Sequence, residues 1–397
     1  METARRIKHL DTAIFSEMDN LGQELRARGM EVINLSVGSP DRHPAPHIVQ
    51  ALKDALDEPG IFQYPLTEGM PEFKAAVADW YLERFRVQLD YKREVLTLMG
   101  SQDGLAHIFL ALINPGDVVL VPDPGYPIYS AGALLAEGRI ERMPLTAKNN
   151  FLPDLDAIPQ EIARKAKMMV LNYPNNPVAA VADKDFFARV VAFARAYDVI
   201  VCHDIAYSEL AYDGYRPPSF LEVEGAKEVG IEFHSLSKTY NLAGCRLGFA
   251  VGNATILDAL RVVKSNIDYG VFKAVQKAGI AALRGSQEHV KETALIYQRR
   301  RDILVDGLEK YGWKIPKPRA SMFLWAPLPE GWSSSREFAF ALARATGVLV
   351  VPGVAFGAQG EGYVRIAMVG DDVQLRTAVE KIGRFLNGKT SSTLHYL

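Results

Sequence analysis

Lys238 stands in the string His234-Ser235-Leu236-Ser237-Lys238-Thr239-Tyr240, directly after a buried-looking apolar run, and Arg246 follows eight positions later. A lone lysine just past a strand end is commonly a solvated loop residue. Its neighbours change the reading. The hydroxyls of Ser235 and Ser237 supply neutral donors and Arg246 a fixed cation, a set suited to a phosphate dianion. Phosphate beside an amine points to pyridoxal 5′-phosphate. The nearby cation and partial burial are what lower a lysine pKa far enough for its amine to react with the aldehyde of that group.

Such a cofactor makes further demands. Its pyridine nitrogen needs a carboxylate partner to stay protonated, and Asp204, in Val201-Cys202-His203-Asp204-Ile205-Ala206-Tyr207, ends a strand where ligands of parallel sheets collect. An aspartate there also suits a helix N-cap. Tyr207 and Asn176 can donate to the phenolic oxygen of the ring, although a core tyrosine and a turn asparagine fit the same positions. Met99-Gly100-Ser101-Gln102-Asp103-Gly104 runs from strand to helix with small residues, so the amides of Ser101 and Gln102 can meet a phosphate at a helix start. A plain tight turn is the alternative. Tyr126, in Asp123-Pro124-Gly125-Tyr126-Pro127, offers an aromatic face for the ring. The Gly-x-Gly-x-x-Gly fingerprint of a dinucleotide site is absent. No metal enters this reading.

These residues need a sheet to align them. From Val95 to Val251 short β-branched runs alternate with segments of helical period, which predicts a mostly parallel sheet covered on both faces. The predicted strands are Val95 to Met99, Val118 to Val121, Met168 to Leu171, Val199 to Cys202, Ile231 to Ser235 and Leu247 to Val251, with helices over Gly104 to Leu112 and Asp183 to Tyr197. Beyond Val251, Ala254 to Lys264, Val271 to Leu283 and Gln287 to Lys310 read as helices. Strands at Met322 to Ala326, Val348 to Val351 and Tyr363 to Met368 and a helix over Asp372 to Leu386 then form a smaller α/β unit. The polar tail from Asn387 to Leu397 reads as a mobile end.

At 397 residues two lobes are expected. A net charge of -2, with 23% charged residues, gives no footprint for nucleic acid. The first twenty residues mix charges without the apolar core of a signal peptide, and no later run reaches membrane-spanning length. A cytoplasmic protein follows. The two cysteines, Cys202 and Cys245, suggest no disulfide framework.

Taken together, the set resembles the fold-type I aminotransferases of class I/II from about Ile33 to Met368. It is most similar to the bacterial LL-diaminopimelate aminotransferases, through Asp123-Pro124-Gly125-Tyr126-Pro127, Leu171-Asn172-Tyr173-Pro174-Asn175-Asn176-Pro177, Pro217-Pro218-Ser219-Phe220-Leu221-Glu222, Ser235-Leu236-Ser237-Lys238-Thr239-Tyr240-Asn241 and Lys264-Ser265-Asn266-Ile267-Asp268. The resemblance implies a large cofactor domain with a mostly parallel seven-stranded sheet over 45–288. It also implies a smaller α/β domain over 289–397, with 1–44 forming an arm and part of that smaller domain. It implies transamination between an L-amino acid and a 2-oxo acid such as 2-oxoglutarate, with Lys238, Asp204 and Tyr207 as catalytic residues. Arg365, in Tyr363-Val364-Arg365-Ile366, matches the arginine that grips the substrate α-carboxylate, and Gly38 the glycine whose amide approaches it. Tyr64 matches the tyrosine that reaches the partner subunit's cofactor phosphate, which implies a homodimer. Phe15 is implied at the substrate entrance.

Three departures from the family pattern bear on the donor: Val178-Ala179 in place of Thr-Gly, Cys245 in place of a tryptophan, and Tyr269 in place of a small residue. They are expected to act on pocket shape. Other donors, or β-elimination by a carbon–sulfur lyase, are compatible with the same cofactor ligands. A regulatory role would need an attached DNA-binding domain, and the chain leaves no room for one.

Overall fold

The computed structural model describes the chain except residues 1, 5, 8, 9, 11, 12, 66 and 389–397, so the predicted mobile tail lies almost wholly outside the described residues. Twelve strands are present among the described residues: β1 (Ile33–Asn34), β2 (Val95–Leu98), β3 (Val118–Asp123), β4 (Arg139–Pro144), β5 (Ala166–Asn172), β6 (Ile200–Asp204), β7 (Gly230–Ser235), β8 (Gly248–Gly252), β9 (Phe323–Pro327), β10 (Val348–Leu349), β11 (Val351–Pro352) and β12 (Tyr363–Ala367). Seven form one sheet in the order β2-β8-β7-β6-β5-β3-β4. All neighbours are parallel except β8, which runs against both β2 and β7. The inner strands are buried along nearly their whole length, as strands covered on both faces must be; β3, β5 and β8 are mainly apolar in sequence, while β7 buries Glu232 and His234.

Two predictions of strands are corrected. β4 went unseen because its residues, Arg-Ile-Glu-Arg-Met-Pro, are mostly polar and half exposed, as an edge strand allows. The single strand expected over Val348 to Val351 is two. Val348 and Leu349 pair in parallel with β1, and Val351 and Pro352 pair antiparallel with β12. β11, β12 and β9 make a second, antiparallel sheet.

Helices start where the sequence offers a pre-set φ or a cap. Pro46, Pro71 and Pro127 each open one. Asp183 accepts the Phe186 N–H at 2.8 Å, and Asp371 forms a capping box with Gln374 ahead of the helix Asp372–Leu386. The apolar core on one face of the large sheet includes Phe73, Trp80, Phe187 and Phe249, and that on the other Leu98, Phe109, Val170 and Phe233. A separate core gathers β9, β10 and β12 with Leu304, Leu308, Phe338 and Leu342. The helix Glu288–Glu309 touches both, Val290 lying in the first and Tyr297 to Leu308 in the last.

Glu232 on β7 is fully buried, yet its carboxylate accepts from His203 Nδ1 at 2.8 Å, Phe220 N–H at 2.7 Å, Tyr81 Oη at 3.2 Å and the Ser219 hydroxyl. His203 Nε2 receives the Tyr173 N–H, which leaves the ring proton on Nδ1. So many donors are what a buried carboxylate requires. Among the described residues no helix is long and apolar enough to cross a membrane.

Candidate active site

Every residue singled out for cofactor chemistry within this chain lies at one edge of the large sheet. Asp204 ends β6, Ser235 ends β7, and Lys238 sits in the single helical turn Leu236–Thr239 after it. Asn176 follows β5, Tyr126 follows β3, Ser101 and Gln102 follow β2, and Arg246 precedes the antiparallel β8. Parallel strands bring their carboxyl ends together, and β8 delivers its amino end to the same edge because it runs the other way. Together they line a cavity of about 350 Å³ with Phe15, Gly38 and Arg365.

Lys238 Nζ donates to the Gly38 carbonyl at 2.7 Å. Burial, with the nearby Arg365 and Arg246 guanidinium groups, pushes its ammonium down to about 8, against the opposing pull of Asp204. A neutral amine is therefore accessible near neutrality, as nucleophile and as base. Asp204 accepts from Tyr129 Oη at 2.8 Å and from the Ala206 N–H at 3.2 Å. Burial raises its carboxyl, and those two donors, His203 and Lys238 pull it back. Such a carboxylate is completed by a protonated ring nitrogen. Tyr207 Oη receives Asn176 Nδ2 at 3.4 Å, and burial raises its phenol well beyond the ordinary value. It stays a proton donor.

The phosphate end also fits. Ser237 Oγ is buried without a hydrogen-bond partner, an orphan that an anion would satisfy. Gly100, at φ +80°, has no side chain where a Cβ would come within 2.6 Å of Arg246 Nη2. Arg246 itself takes the left-handed conformation, φ 51°, and Nη1 donates to the Ala243 carbonyl at 3.0 Å. The helix Ser101–Leu112 begins here with no side-chain cap, leaving its first amides to the cavity.

At the opposite end Arg365 is buried between two rings, its guanidinium 4.3 Å from the Phe323 centroid and 4.7 Å from that of Phe356. Nη1 donates to Asn176 Oδ1 at 2.9 Å and Nη2 to the Ser36 carbonyl at 2.7 Å, while Nε has no partner. Burial lowers it to about 10, so it stays charged at neutrality. A planar cation fixed in this way suits a carboxylate.

One cavity thus holds a perturbed lysine, a carboxylate placed for a ring nitrogen, a phosphate cradle and a carboxylate fork. Residues 30–382 match the family described as aminotransferase class I and II. The chain belongs to the class I and II aminotransferases. Its sequence is 55% identical over 379 residues to an LL-diaminopimelate aminotransferase of Syntrophobacter fumaroxidans, covering 96% of this chain and 97% of that one. It is 51% identical over 386 residues to an enzyme of the same name from Moorella thermoacetica, covering 97% and 99%. Among solved structures it resembles substrate-bound BacF from Bacillus subtilis, with TM-score 0.93, 39% identity and 97% and 98% of the two chains covered. The aminotransferase catalyses transamination and uses pyridoxal 5′-phosphate.

The structure separates Tyr64 from the other candidates. It is 83% exposed and packs on Tyr269, with ring centroids 5.1 Å apart, away from the cavity lining of its own chain. Within this chain none of the four departing residues, Val178, Ala179, Cys245 and Tyr269, lines the aminotransferase cavity. Val178 is buried in a cluster with Trp325, Val351 and Phe356, Cys245 is half-buried against the core that holds Phe73 and Phe249, and Tyr269 is on the exposed face. Residues not foreseen include Tyr129, Asn172 and Phe323. Tyr129 lies in the first turn of the helix Pro127–Leu135, for which Tyr126 is the N-cap, and the two rings lie 6.0 Å apart. Asn172 accepts the Asn176 N–H at 2.8 Å and donates to the Asp204 carbonyl at 2.8 Å, and as the polar residue that ends the apolar β5 it carried a signal.

Proposed function

We propose that this aminotransferase exchanges the amino group of LL-diaminopimelate with 2-oxoglutarate, working as a homodimer in the cytoplasm. The observation that carries the donor is the likeness of nearly the whole chain, at 51–55% identity, to relatives bearing that name. When bound, the cofactor supplies an aldehyde to carry the amino group and a ring that withdraws electrons from the substrate Cα. The backbone amides of Ser101 and Gln102, the hydroxyls of Ser235 and Ser237 and the Arg246 guanidinium hold its phosphate. Tyr126 covers the ring, Asp204 keeps the proton on the pyridine nitrogen, and Tyr207 with Asn176 donates to the phenolic oxygen. Arg365 grips the α-carboxylate, with the Gly38 amide beside it. The Lys238 amine takes the proton from Cα, the role its lowered pKa suits. Phe15 stands at the entrance, packed edge-on against Phe356 with centroids 5.5 Å apart.

The dimer is supported by an exposed aromatic face. Phe62 is 77% exposed and stacks on Phe272, beside the Tyr64–Tyr269 pair. A contiguous apolar patch of this kind is unusual on a free surface. A second copy is the occupant we assign, with the partner's Tyr64 completing the phosphate site. The division into a large unit over 45–288 and a smaller one built from 1–44 and 289–397 is likewise our reading.

The donor is tested by turnover with 2-oxoglutarate and a panel of LL-diaminopimelate, its meso isomer, alanine, aspartate and phenylalanine. LL-Diaminopimelate is expected to show the highest kcat/KM by at least about tenfold, the low end of what one hydrogen bond to a charged group contributes. A higher value for any other donor would overturn the assignment.

A further inference from the structure

The chemistry above makes no use of the buried cation at Lys264. Its Nζ lies 3.0 Å from Asp103 Oδ2 and 3.0 Å from both carboxylate oxygens of Asp268, and the side chain is wholly buried. Burying a lysine is costly unless carboxylates compensate it, and here two do. Each of those carboxylates also fixes a turn. Asp103 accepts the Met99 N–H at 3.0 Å and lies 2.8 Å from His107 Nδ1, which locks the turn leading into Ser101 and Gln102. Asp268 accepts the Gly270 N–H at 2.6 Å, where Gly270 takes φ +93°, and so locks the turn that carries Tyr269. The Tyr269 ring packs on Tyr64.

We propose that the Asp103–Lys264–Asp268 triad is a positioning device that ties the phosphate turn of one subunit to the aromatic pair it presents to its partner. In this arrangement Tyr269 sets the Tyr64 ring for the partner subunit's cofactor phosphate. The inference rests on the dimeric reading above. An exposed tyrosine loses rotamer freedom when it engages a ligand, and a ring already packed has less to lose. Tyr269 therefore raises affinity by holding Tyr64 in place, and only for a ligand that bears the phosphate Tyr64 touches. A residue with a merely structural role would not distinguish pyridoxal phosphate from pyridoxal.

The test titrates the apoprotein with pyridoxal 5′-phosphate and, separately, with pyridoxal, following absorbance, while light scattering gives the mass. The variants are Tyr269→Ser, Tyr269→Phe, Asp268→Asn and Tyr64→Phe, with the Tyr64→Phe/Tyr269→Ser double variant. Asp268→Asn is preferred to Lys264→Met because the latter strands two partly buried carboxylates. Tyr269→Ser and Asp268→Asn should weaken the phosphate form by about five- to tenfold, the scale of one aromatic contact, and leave pyridoxal within about twofold. Tyr269→Phe should restore the affinity, and the double variant should be no weaker than Tyr64→Phe alone. A dimeric protein in which Tyr269→Ser and Asp268→Asn leave both affinities unchanged, or weaken them equally, overturns the positioning role. A monomeric mass for the native protein overturns the dimeric reading and this inference with it.

Discussion

Removing the Lys238 ammonium should make the apoprotein's stability respond less to alkali, in a way that isolates the pKa on which its chemistry depends. In the fold this lysine is pushed from 10.5 to about 8, chiefly by burial and then by Arg365 and Arg246. In the unfolded chain it titrates near its ordinary value. Below pH 8 both states hold the proton, and the folded state bears the whole cost of the desolvated charge. Between pH 8 and 10.5 the unfolded state holds one proton more than the folded state, so stability rises with pH. At 1.36 kcal/mol per decade the full effect is about 3 kcal/mol. Lys238→Met keeps most of the side-chain volume and removes the titration. Urea denaturation of both apoproteins from pH 7 to 10 should therefore show native stability gaining on the variant by about 1.4 kcal/mol per pH unit above pH 8, and by nothing below it. Parallel curves across the range would refute a depressed lysine pKa. The lysine would then hold far less neutral amine near neutrality than a pKa of about 8 allows, and would need help from elsewhere to serve as base.

Asp204→Asn should keep the fold and still bind pyridoxal 5′-phosphate, yet lose about 3 kcal/mol of transition-state support, roughly a hundredfold in kcat, read in single-turnover assays. Arg365→Lys keeps the charge but not the fork held between Asn176 and Ser36, so kcat/KM should fall by a similar factor, about tenfold or more, for every donor and oxo acid. Gly100→Ala places a Cβ within 2.6 Å of Arg246 Nη2 at a residue of φ +80°, and should weaken cofactor binding by about tenfold while leaving the order of donors unchanged. Ala179→Gly should stabilise the protein by about 1 kcal/mol in urea denaturation, because Ala179 sits at φ +56°.

The cofactor set was legible in the sequence because each of its members follows or precedes a strand of one sheet. A β-branched run with a polar residue at its carboxyl end marks both the element and the edge where its ligand belongs, as Asp204 and Ser235 show. Where that coupling fails, sequence reasoning failed. β4 lies at the edge of the sheet and carries no site residue, so neither an apolar run nor a ligand announces it. Tyr129 and Phe323 support other residues rather than ending a strand, and their roles come from contacts across long sequence separations. Phe323, for example, meets Arg365 only because β9 and β12 pair, with Arg365 opposite Trp325 and Ala367 opposite Phe323.

That distinction bears on the residues that depart from the family pattern. Val178 belongs to the apolar cluster that includes Phe356, and Phe356 forms one face of the sandwich around Arg365. A branched apolar side chain in that cluster therefore acts on the fork from behind, through ring packing, and not as a wall that a substrate meets. Tyr269 acts on Tyr64 from the exposed face in the same indirect manner. Cys245 precedes Arg246, whose left-handed backbone and contact with Gly100 fix the cradle whatever the preceding side chain contributes. All of them leave the contacting atoms in place and alter what holds those atoms. Their effects belong to the rigidity of the carboxylate and phosphate grips, which are common to every amino donor. The choice among donors must then be made by groups that meet the far end of the substrate, and none of the departing positions lines the cavity within this chain.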